Sequence, residues 1–300
     1  MKRIAAVVVT YNRCELLREC ISRLSNQEGL AARDAWLATI VIDNASTDGT
    51  QAMVESLPGF NETLYYFNTG ANLGGAGGFS FGMHVAADLG FDYVWVMDDD
   101  CFAHEDSLAA LLDADAALGG SYGWLSSVVR WKDGSICKMN VQRHPINRDI
   151  TDFTPDLQPA TIASFVSLFV PMSAIRRFGL PIKEFFIWTD DWEFTRRISR
   201  ALPCYVVGKS VVTHASANNG AGTIATDIPE RIDRYRYVYR NDVVLYRGEG
   251  VKGIAYIVAR DAYHTAAVLA SGKPDKLKKI GIIWGATLEG VSFNPPIERV

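Results

Sequence analysis

The sequence predicts an α/β fold, a parallel sheet with helices on both faces, followed by a C-terminal helical region. Three observations predict it. Short apolar runs alternate with helical patterns over the first hundred residues, and polar clusters follow the apolar runs. No run of about 20 apolar residues is long enough to span a membrane. With 48% hydrophobic and 21% charged residues, the chain is neither collagen-like nor wholly disordered.

Apolar spacing predicts the elements of the first half. Leu17, Cys20, Ile21 and Leu24 recur at helical spacing, which indicates a helix over 15–24. The full predicted order is strand 4–9, helix 15–24, strand 38–42, helix from Ser46 or Thr47 to 57, strand 63–67, helix 79–89 and strand 93–97. Ligands of open parallel sheets bind beyond the carboxyl ends of the strands, so functional residues should follow strands.

The second half is less regular. Strands are predicted at 123–129, 162–170, 204–207 and 211–213, and three prolines make 140–160 a loop. Helices are predicted at 192–201, 227–248, 253–269 and 276–284. The softest boundary lies in the Gly/Asn/Ala segment 216–226. We therefore expect a catalytic domain over 1–226, with a nucleotide-binding half (about 1–100) and an acceptor half (about 101–226), and a helical region over 227–300.

Charge and cysteine usage narrow the class of protein. The net charge of −4 gives no case for a nucleic-acid binder. Five cysteines without a CxxC pair favour reduced, buried thiols over a disulfide framework or zinc site. The N-terminal apolar run is too short for a secretory signal. These features predict a cytoplasmic protein. From Pro229 onward, however, the sequence contains 12 Lys and Arg but only 8 Asp and Glu, so this region is basic.

Two polar clusters end the first two predicted strands. Thr10-Tyr11-Asn12-Arg13 follows the first strand, and Arg13 could offer forked donors to a phosphate or a base. A helix N-cap by Thr10 or Asn12 is the alternative. Asp43 follows the second strand, where its carboxylate could accept from a uracil-like base or a ribose hydroxyl. Ordinary turn chemistry at 48–49 is the alternative there.

A glycine-rich run, Asn72-Leu73-Gly74-Gly75-Ala76-Gly77-Gly78-Phe79, precedes the third predicted helix. Glycines let a backbone approach a ligand closely, and a helix N-terminus favours anions. The run does not follow the first strand, so it is no dinucleotide fingerprint. A tight packing turn between helix and strand explains it equally well.

Asp98, Asp99 and Asp100 directly follow the apolar strand 93–97. Adjacent carboxylates at the end of a buried strand repel one another, so they need a cation, and oxygen ligands suit Mg²⁺ or Mn²⁺. A solvated acidic turn is the alternative. His214 ends a later short strand; alone it would be a structural histidine, and a nearby metal would give it a role.

A second acidic pair, Asp190 and Asp191, stands between Trp188 and Trp192. Crowding and burial raise the pKa of at least one carboxyl and can prepare it as a general base. The aromatic rings offer flat faces to a sugar or a lipid. Capping of the following helix by either aspartate is the alternative.

In this order, the clusters resemble the inverting GT-A glycosyltransferases of family 2, over about residues 3–245. Within the family, the runs 72–79 and 188–193 look most like galactofuranosyltransferases. The resemblance implies a GT-A fold, a Rossmann-like nucleotide-binding sheet. It also implies metal-dependent transfer of a sugar, best matched by galactofuranose from UDP-galactofuranose. The acceptor would be a glycan or polyprenyl-pyrophosphate-linked glycan of cell-surface polysaccharide synthesis.

The resemblance also assigns roles by position. Asp43 would bind the base, Asp191 would be the catalytic base, and Asp99 would lie toward the sugar. The nucleotide-binding residues would be Thr10, Arg13, Asp43, Asn72 and Gly75. The ligands of Mn²⁺ or Mg²⁺ would be Asp98, Asp100 and His214. The acceptor or the sugar would be contacted by Trp188, Asp190, Trp192 and Asp99. The segment 216–223 would be a loop that orders when nucleotide binds.

The sequence departs from the family pattern at two places. The acceptor-site pair of the family is Glu-Asp, whereas Asp190-Asp191 stands here. The chain begins at its first strand, without the β-rich domain of the polymerising galactofuranosyltransferases, so we expect single or short additions.

Three other interpretations remain open. Another family 2 transferase would use dTDP-rhamnose, UDP-galactose or UDP-glucose, which a donor panel would distinguish. A nucleotide-sugar pyrophosphorylase should carry a glycine-rich phosphate loop straight after the first strand, where Thr-Tyr-Asn-Arg stands instead. A non-catalytic nucleotide-sugar-binding module would need neither acidic cluster.

Arginines and tyrosines interleave after residue 230: Arg231, Arg234, Arg236, Arg240 and Arg247 with Tyr235, Tyr237, Tyr239 and Tyr246. They form either a solvated helix face packed on the body or a contact with anionic lipid or a lipid pyrophosphate. The second interpretation predicts a peripheral contact at the inner face of the cell membrane.

Overall fold

The computed structural model describes residues 1–220 and 222–300. Its strands are β1 (Lys2–Thr10), β2 (Ala35–Asp43), β3 (Leu64–Asn68), β4 (Tyr93–Asp98), β5 (Cys101–Ala103), β6 (Leu125–Trp131), β7 (Leu157–Pro159), β8 (Leu168–Pro171) and β9 (Tyr205–His214). Its α-helices are α1 (Cys14–Ser25), α2 (Thr50–Glu55), α3 (Gly74–Asp88), α4 (Ser107–Leu118), α5 (Met172–Phe178), α6 (Asp190–Ser199), α7 (Pro229–Ile232), α8 (Tyr235–Arg247), α9 (Gly250–Ala270) and α10 (Lys276–Ser292).

The strands form one mixed sheet in the order β3-β2-β1-β4-β8-β6-β9-β5, with β7 on β9. The first four strands are parallel, as predicted. The sheet as a whole is mixed, because β8, in the less regular second half, pairs antiparallel with both β4 and β6. Helix α4 carries the chain from β4 to β6, whereas no α-helix lies between β6 and β8. Without such a crossover, β8 enters the sheet in the opposite direction.

Helices cover both faces of this sheet, as the sequence predicts. Alternate residues of β4 face opposite layers: Val94 and Val96 pack with Phe79 and Met83 of α3. Trp95 and Met97 pack on the other face, with α1, α2 and α4. Because β4 is buried on both faces, its sequence is a continuous apolar run rather than an alternating one.

Several element boundaries differ from the prediction. Helix α3 begins inside the glycine run at Gly74, five residues before the predicted start. Helix α2 follows Gly49 rather than Ser46 or Thr47. The two short strands near 204–213 form one strand, β9, in which residues 208–210 interrupt the pairing with β6 between the partners of Ser127 and Val128. Only the end of the strand predicted over 162–170 forms a strand, β8. The proline-rich loop contains the short strand β7. The helix predicted over 227–248 is divided into α7 and α8.

Helices α8, α9 and α10 pack together beside this sheet. Buried Tyr239, Val268 and Ile283 contribute to their shared core. The interleaved arginines and tyrosines therefore do not form one exposed stripe: Tyr239 and Arg240 are buried, and Arg247 donates to the carbonyl of Phe293. Among the described residues, no helix has the length and apolar character needed to cross a membrane.

Candidate active site

The carboxyl ends of β1, β2 and β4 meet at one edge of the sheet. Thr10 is paired in register with Asp43, and Val9 with Asp98. This register follows from the parallel arrangement, and it brings together residues that are about 90 positions apart in the sequence. The strand-end clusters therefore share one location, as expected for ligand binding in an open α/β sheet.

Asp98, Asp100 and His214 form a group whose ligand atoms all lie within 4.8 Å of one another. The antiparallel pairing of β5 with β9 sets Cys101 opposite His214, which brings the histidine to the aspartates. His214 Nε2 is 3.1 Å from Asp100 Oδ1, and its Nδ1 is 2.8 Å from Asn140 Oδ1. Two carboxylates and one imidazole, with the ring oriented by Asn140, fit a Mn²⁺ or Mg²⁺ ion.

The electrostatics of this group favour added positive charge. Burial, and then the charge of Asp100, raise the pKa of Asp98 to about 6. Burial opposes the charged form of His214, but hydrogen bonds to Asp100 and Cys137 outweigh it and raise that pKa to about 10. Burial likewise opposes ionisation of Asp100, yet the His214 hydrogen bond and charge lower its pKa. A bound divalent ion would compensate the same carboxylates.

Asp99 lies on the nucleotide side of this group. Its carboxylate accepts from the Thr10 hydroxyl at 2.8 Å and from Arg13 Nη1 at 3.1 Å, and Arg13 Nη1 also reaches Asp100 at 3.0 Å. Asp99 is 3% exposed, and burial raises its pKa to about 7. Among the described residues it is absent from the wall of the cavity in front of β4. In the structure the Asp99 carboxylate contacts Thr10 and Arg13, and its assignment toward the sugar stays a prediction.

Asp43 is fully buried at the end of β2. One carboxylate oxygen accepts the backbone N–H of Ser46 at 2.8 Å, and the other accepts the Tyr66 hydroxyl at 2.6 Å. Each carboxylate oxygen has a second lone pair, so Asp43 can still accept from a base. Tyr66 is a site residue that the sequence analysis missed, because only the β2–β3 pairing brings it next to Asp43.

The structure confirms the packing interpretation of the glycine run at two positions, and the ligand-binding interpretation stays a prediction. A Cβ on Gly78 would lie 2.6 Å from Val9, and one on Gly74 would lie 2.0 Å from the carbonyl oxygen of Phe186, so these glycines permit close packing. Gly75 has open space around it and lines the cavity. Asn72 accepts the backbone N–H of Gly74 at 2.9 Å, which orders the entry into α3.

The second acidic pair forms the first turn of α6, facing Asp98 and His214 across a cavity of about 710 Å³. Burial raises the pKa of Asp191 to about 7. The Trp192 backbone N–H, which donates to this carboxylate at 2.7 Å, acts in the opposite direction. Burial, and then the charge of Asp191, raise the pKa of Asp190 well above its ordinary value. A carboxyl that titrates near pH 7 suits a general base.

Trp188 and Trp192 line the same cavity on either side of the acidic pair. The Trp188 ring lies 5.3 Å from that of Tyr235. The Arg143 guanidinium lies over the Trp192 ring, 4.2 Å from its centroid. Aromatic faces beside carboxylates are suited to binding a sugar ring.

The C-terminal helices supply another part of the cavity wall, together with loop residues such as Met139, Arg143 and Ser164. Its residues there include Tyr239, Asp242, Tyr246, Arg260 and His264. No sequence pattern marked these residues, because a polar run such as Arg-Asn-Asp at 240–242 in the middle of a helix is equally typical of a solvated helix face. Of the predicted loop 216–223, Gly220 and Gly222 line the cavity, and Ala221 lies outside the described residues.

With this geometry in place, the chain can be compared with known proteins. The model of the family described as Glycosyl transferase family 2 matches residues 5–156. The chain belongs to this family. It is therefore a transferase, and its catalytic residues beyond 156 must be argued from the structure.

Two relatives give the comparison more detail. Galactofuranosyltransferase GlfT1 of Mycolicibacterium smegmatis is 25% identical over 263 residues, covering 83% of this chain and 84% of that protein. Abequosyltransferase RfbV of Salmonella typhimurium is 33% identical over 119 residues, covering 38% of this chain and 34% of that protein.

A solved structure confirms the fold. The mannosyltransferase PcManGT from Pyrobaculum calidifontis, solved with GDP-Man and Mn²⁺, has a TM-score of 0.61 and is 18% identical. The alignment covers 97% of this chain and 87% of that one. The predicted GT-A architecture with additional C-terminal helices is confirmed, with the sheet mixed rather than parallel.

Proposed function

We propose that this glycosyltransferase moves galactofuranose from UDP-galactofuranose to a glycan or polyprenyl-pyrophosphate-linked glycan, with inversion, in cell-surface polysaccharide synthesis. One observation supports the chemistry above all: Asp191 faces the metal-binding group Asp98, Asp100 and His214 across one cavity. The similarity to the mycobacterial galactofuranosyltransferases, over four fifths of both chains, supports the choice of sugar.

The nucleotide would lie along the ends of β1 and β2, with its base at Asp43 and its phosphates near Arg13 and Gly75. Asp98, Asp100 and His214 would hold Mn²⁺ or Mg²⁺ beside the diphosphate. When bound, the ion supplies positive charge to the diphosphate leaving group. Asp190, Trp188 and Trp192 would orient the acceptor and the sugar, since they surround Asp191 in the cavity wall.

Asp191 carries out the proton step in this proposal. Its carboxylate takes the proton of the acceptor hydroxyl as that oxygen forms a bond to the anomeric carbon. The bond between that carbon and the diphosphate oxygen breaks, and the nucleoside diphosphate leaves with the electron pair. Attack from the face opposite the leaving group inverts the anomeric configuration, and no covalent enzyme intermediate is required.

A donor panel tests the proposed sugar. UDP and dTDP binding is measured by calorimetry with and without Mn²⁺. Transfer is then assayed from UDP-galactofuranose, UDP-galactose, UDP-glucose and dTDP-rhamnose. We expect metal-dependent UDP binding and transfer of galactofuranose. Preference for dTDP, or transfer of another hexose, would instead establish the alternative donor class. The 33% identity to an abequosyltransferase over 119 residues is the observation that favours this alternative.

The outward faces of α9 and α10 lie within the C-terminal region where the sequence predicts a membrane contact, and they would suit a contact with anionic lipid. Exposed apolar side chains repeat along both helices: Val251, Ile254, Val258, Leu269, Leu277, Leu288 and Val291. Leu277, 87% exposed, stands among Lys273, Lys276 and Lys278. Apolar side chains flanked by lysines complement an anionic membrane surface. Helix α9 also lines the cavity through Tyr256 and His264, so a lipid-linked acceptor could reach it from this side.

Liposome flotation tests this contact. We expect binding to phosphatidylglycerol vesicles, weakened by salt and by Leu277→Ser with Leu288→Ser. Leu89→Ser, an exposed leucine at the end of α3, is the matched control and should leave binding unchanged. Absence of flotation at low salt, or light scattering showing a dimer that these serines break, would assign the face to another role.

A further inference from the structure

The five residues before the acidic pair, 185–189, adopt a strained turn. The Ile187 N–H donates to the carbonyl of Phe185 at 2.7 Å, which closes a three-residue turn with Phe186 at its centre (φ 64°, ψ −59°). Trp188 and Thr189 also have positive φ, at 65° and 68°. Side-chain-bearing residues rarely adopt this region, and a β-branched threonine least of all. The surrounding structure must therefore hold the 185–189 turn in place.

Asn241 of α8 makes most of the contacts that hold the turn. Its side chain is fully buried, and its amide nitrogen lies 3.0, 3.3 and 3.0 Å from the carbonyl oxygens of Phe185, Ile187 and Trp188. The Asn241 carbonyl oxygen accepts from the Arg240 guanidinium, which fixes the orientation of the amide. The two N–H groups of the Asn241 amide are thus shared among three carbonyls of the turn, and the Phe185 carbonyl also accepts the Ile187 N–H.

Asp242 holds the end of the turn. The Thr189 hydroxyl precedes α6 but does not cap it; it donates to Asp242 Oδ1 at 2.7 Å. The other Asp242 oxygen is paired with Arg260 of α9, which also donates to Asp261. Among the described residues, Arg260 Nη2 is the one buried side-chain polar atom without a hydrogen bond, and Arg260 lines the cavity.

Helix α3 contacts the opposite side of the turn. The backbone N–H of Ala76 donates to the Phe186 carbonyl at 3.1 Å, and Gly74 lies so close that a Cβ would overlap that oxygen. The turn is therefore held between the start of α3, next to the nucleotide, and the middle of α8. Its last residue is bonded directly to Asp190, so its conformation sets where α6 begins.

We infer that Asn241 and Asp242 are positioning residues for the transfer reaction: they hold the 185–189 turn so that the carboxylate of Asp191 faces the acceptor hydroxyl. This inference rests on the proposed role of Asp191 as the base. Neither residue needs to touch the nucleotide, because their contacts go to the turn, to Arg240 and to Arg260. Their loss should therefore lower kcat far more than it weakens UDP binding.

The variants are made in the full chain. Asn241→Ala removes the three donations to the turn. Thr189→Val keeps the side-chain shape but removes the hydroxyl, whereas Thr189→Ser keeps the hydroxyl and should restore function. Val243→Ala, on the same helix and equally buried but outside the turn, is the control for lost packing. The measurements are kcat and KM with whichever donor the wild type uses, UDP affinity with Mn²⁺, and hydrogen–deuterium exchange over 185–192.

We expect Asn241→Ala to lower kcat about 100-fold, the scale of a misplacement of roughly 1 Å, and Thr189→Val to lower it about tenfold. UDP affinity should stay within about threefold of the wild-type value, because neither variant removes a contact that binds UDP in the ground state. Exchange over 185–192 should rise in Asn241→Ala and Thr189→Val, and Thr189→Ser should resemble the wild type. Val243→Ala should lower the melting temperature without changing kcat.

An unchanged kcat in both variants overturns the inference, and so does faster exchange without loss of kcat. An equal loss of kcat in Val243→Ala would assign the effect to general stability and overturn it as well. If Asn241→Ala does not fold, the Thr189→Val and Thr189→Ser pair decides. Failure of the proposed function would be seen in other measurements. Transfer of another sugar would contradict the proposed donor, and full activity of Asp191→Asn would contradict the proposed base, whatever the exchange data show.

Discussion

Two regions of the molecule meet at one cavity: the sheet edge where β1, β2 and β4 end, and the wall formed by α8 and α9. They differ in how their residues are brought together. At the strand ends, each polar cluster lies immediately after an apolar run, so the sequence order predicts which residues meet. At the helical wall, Asn241 and Asp242 act on residues more than 50 positions earlier. Local pattern locates the first kind of residue, and only tertiary contact locates the second.

The largest effect should come from Asp191, where the two regions face each other. Asp191→Asn keeps the shape and the helix start but removes the proton acceptor, so we expect transfer to fall by about 10³-fold or more, at the upper part of the range for general-base catalysis. Metal-dependent UDP affinity should remain close to that of the wild type. Steady-state kinetics and calorimetry on the same preparation check both, and near-normal turnover would remove Asp191 as the base.

The metal-binding group should give the next largest effect, confined to the strand-end region. Asp100→Ala and His214→Ala each remove one of three converging ligands, so Mn²⁺-dependent UDP binding should weaken by about 10- to 100-fold, as about 1.4 to 2.8 kcal/mol of charge-assisted contact is lost. UDP binding without Mn²⁺ is the control and should change little. Unchanged metal-dependent affinity in both variants would contradict the ligand assignment.

A pH profile should show an effect of about tenfold. Burial raises the pKa of Asp191 to about 7, and the charge of Asp98 acts in the same direction. The base must be ionised, so kcat/KM should be constant at high pH and fall with decreasing pH below 7, to about a tenth at pH 6. Stopped-time assays at saturating Mn²⁺ measure it, with the melting temperature at each pH as control. A flat profile from pH 5.5 to 8 would contradict the assignment.

A pair of neighbouring glycines sharpens the comparison at the smallest scale. Gly75→Ala places a methyl in open space within a helix, so stability should hold while UDP affinity falls severalfold if the nucleotide passes close to that backbone. Gly74→Ala places the methyl against the Phe186 carbonyl at positive φ and should lower the melting temperature instead. Thermal melts and UDP titrations of both variants separate the two roles, and equal behaviour would refute the distinction.

Much of the nucleotide half could be predicted, because its helices and strands are short-range patterns. The apolar run 93–97 followed by three aspartates predicted both β4 and the acidic end of the cavity. The antiparallel entry of β8 could not be predicted, since apolar runs carry no direction. The contacts of the Asp99 carboxylate with Thr10 and Arg13 could not be predicted either, because they join residues almost 90 positions apart in the sequence.

The second half was predicted less well for a physical reason. The arginines and tyrosines of α8 looked like one amphipathic stripe, yet Arg240 donates to the Glu184 carbonyl and Tyr239 is buried. Burial of a long polar side chain depends on partners far along the chain. The division into 1–226 and 227–300 stays a prediction, and so do the individual ligand roles.

The contact between Asn241 and the 185–189 turn has a consequence for how such enzymes can be recombined and how they diverge. A chimera joined near residue 226 would inherit the turn from one parent and its hydrogen-bond donor from the other. Substitutions in either segment would then be acceptable only in combinations that preserve the three amide–carbonyl distances. Exchanging 184–191 together with 240–242 would keep that inherited unit whole.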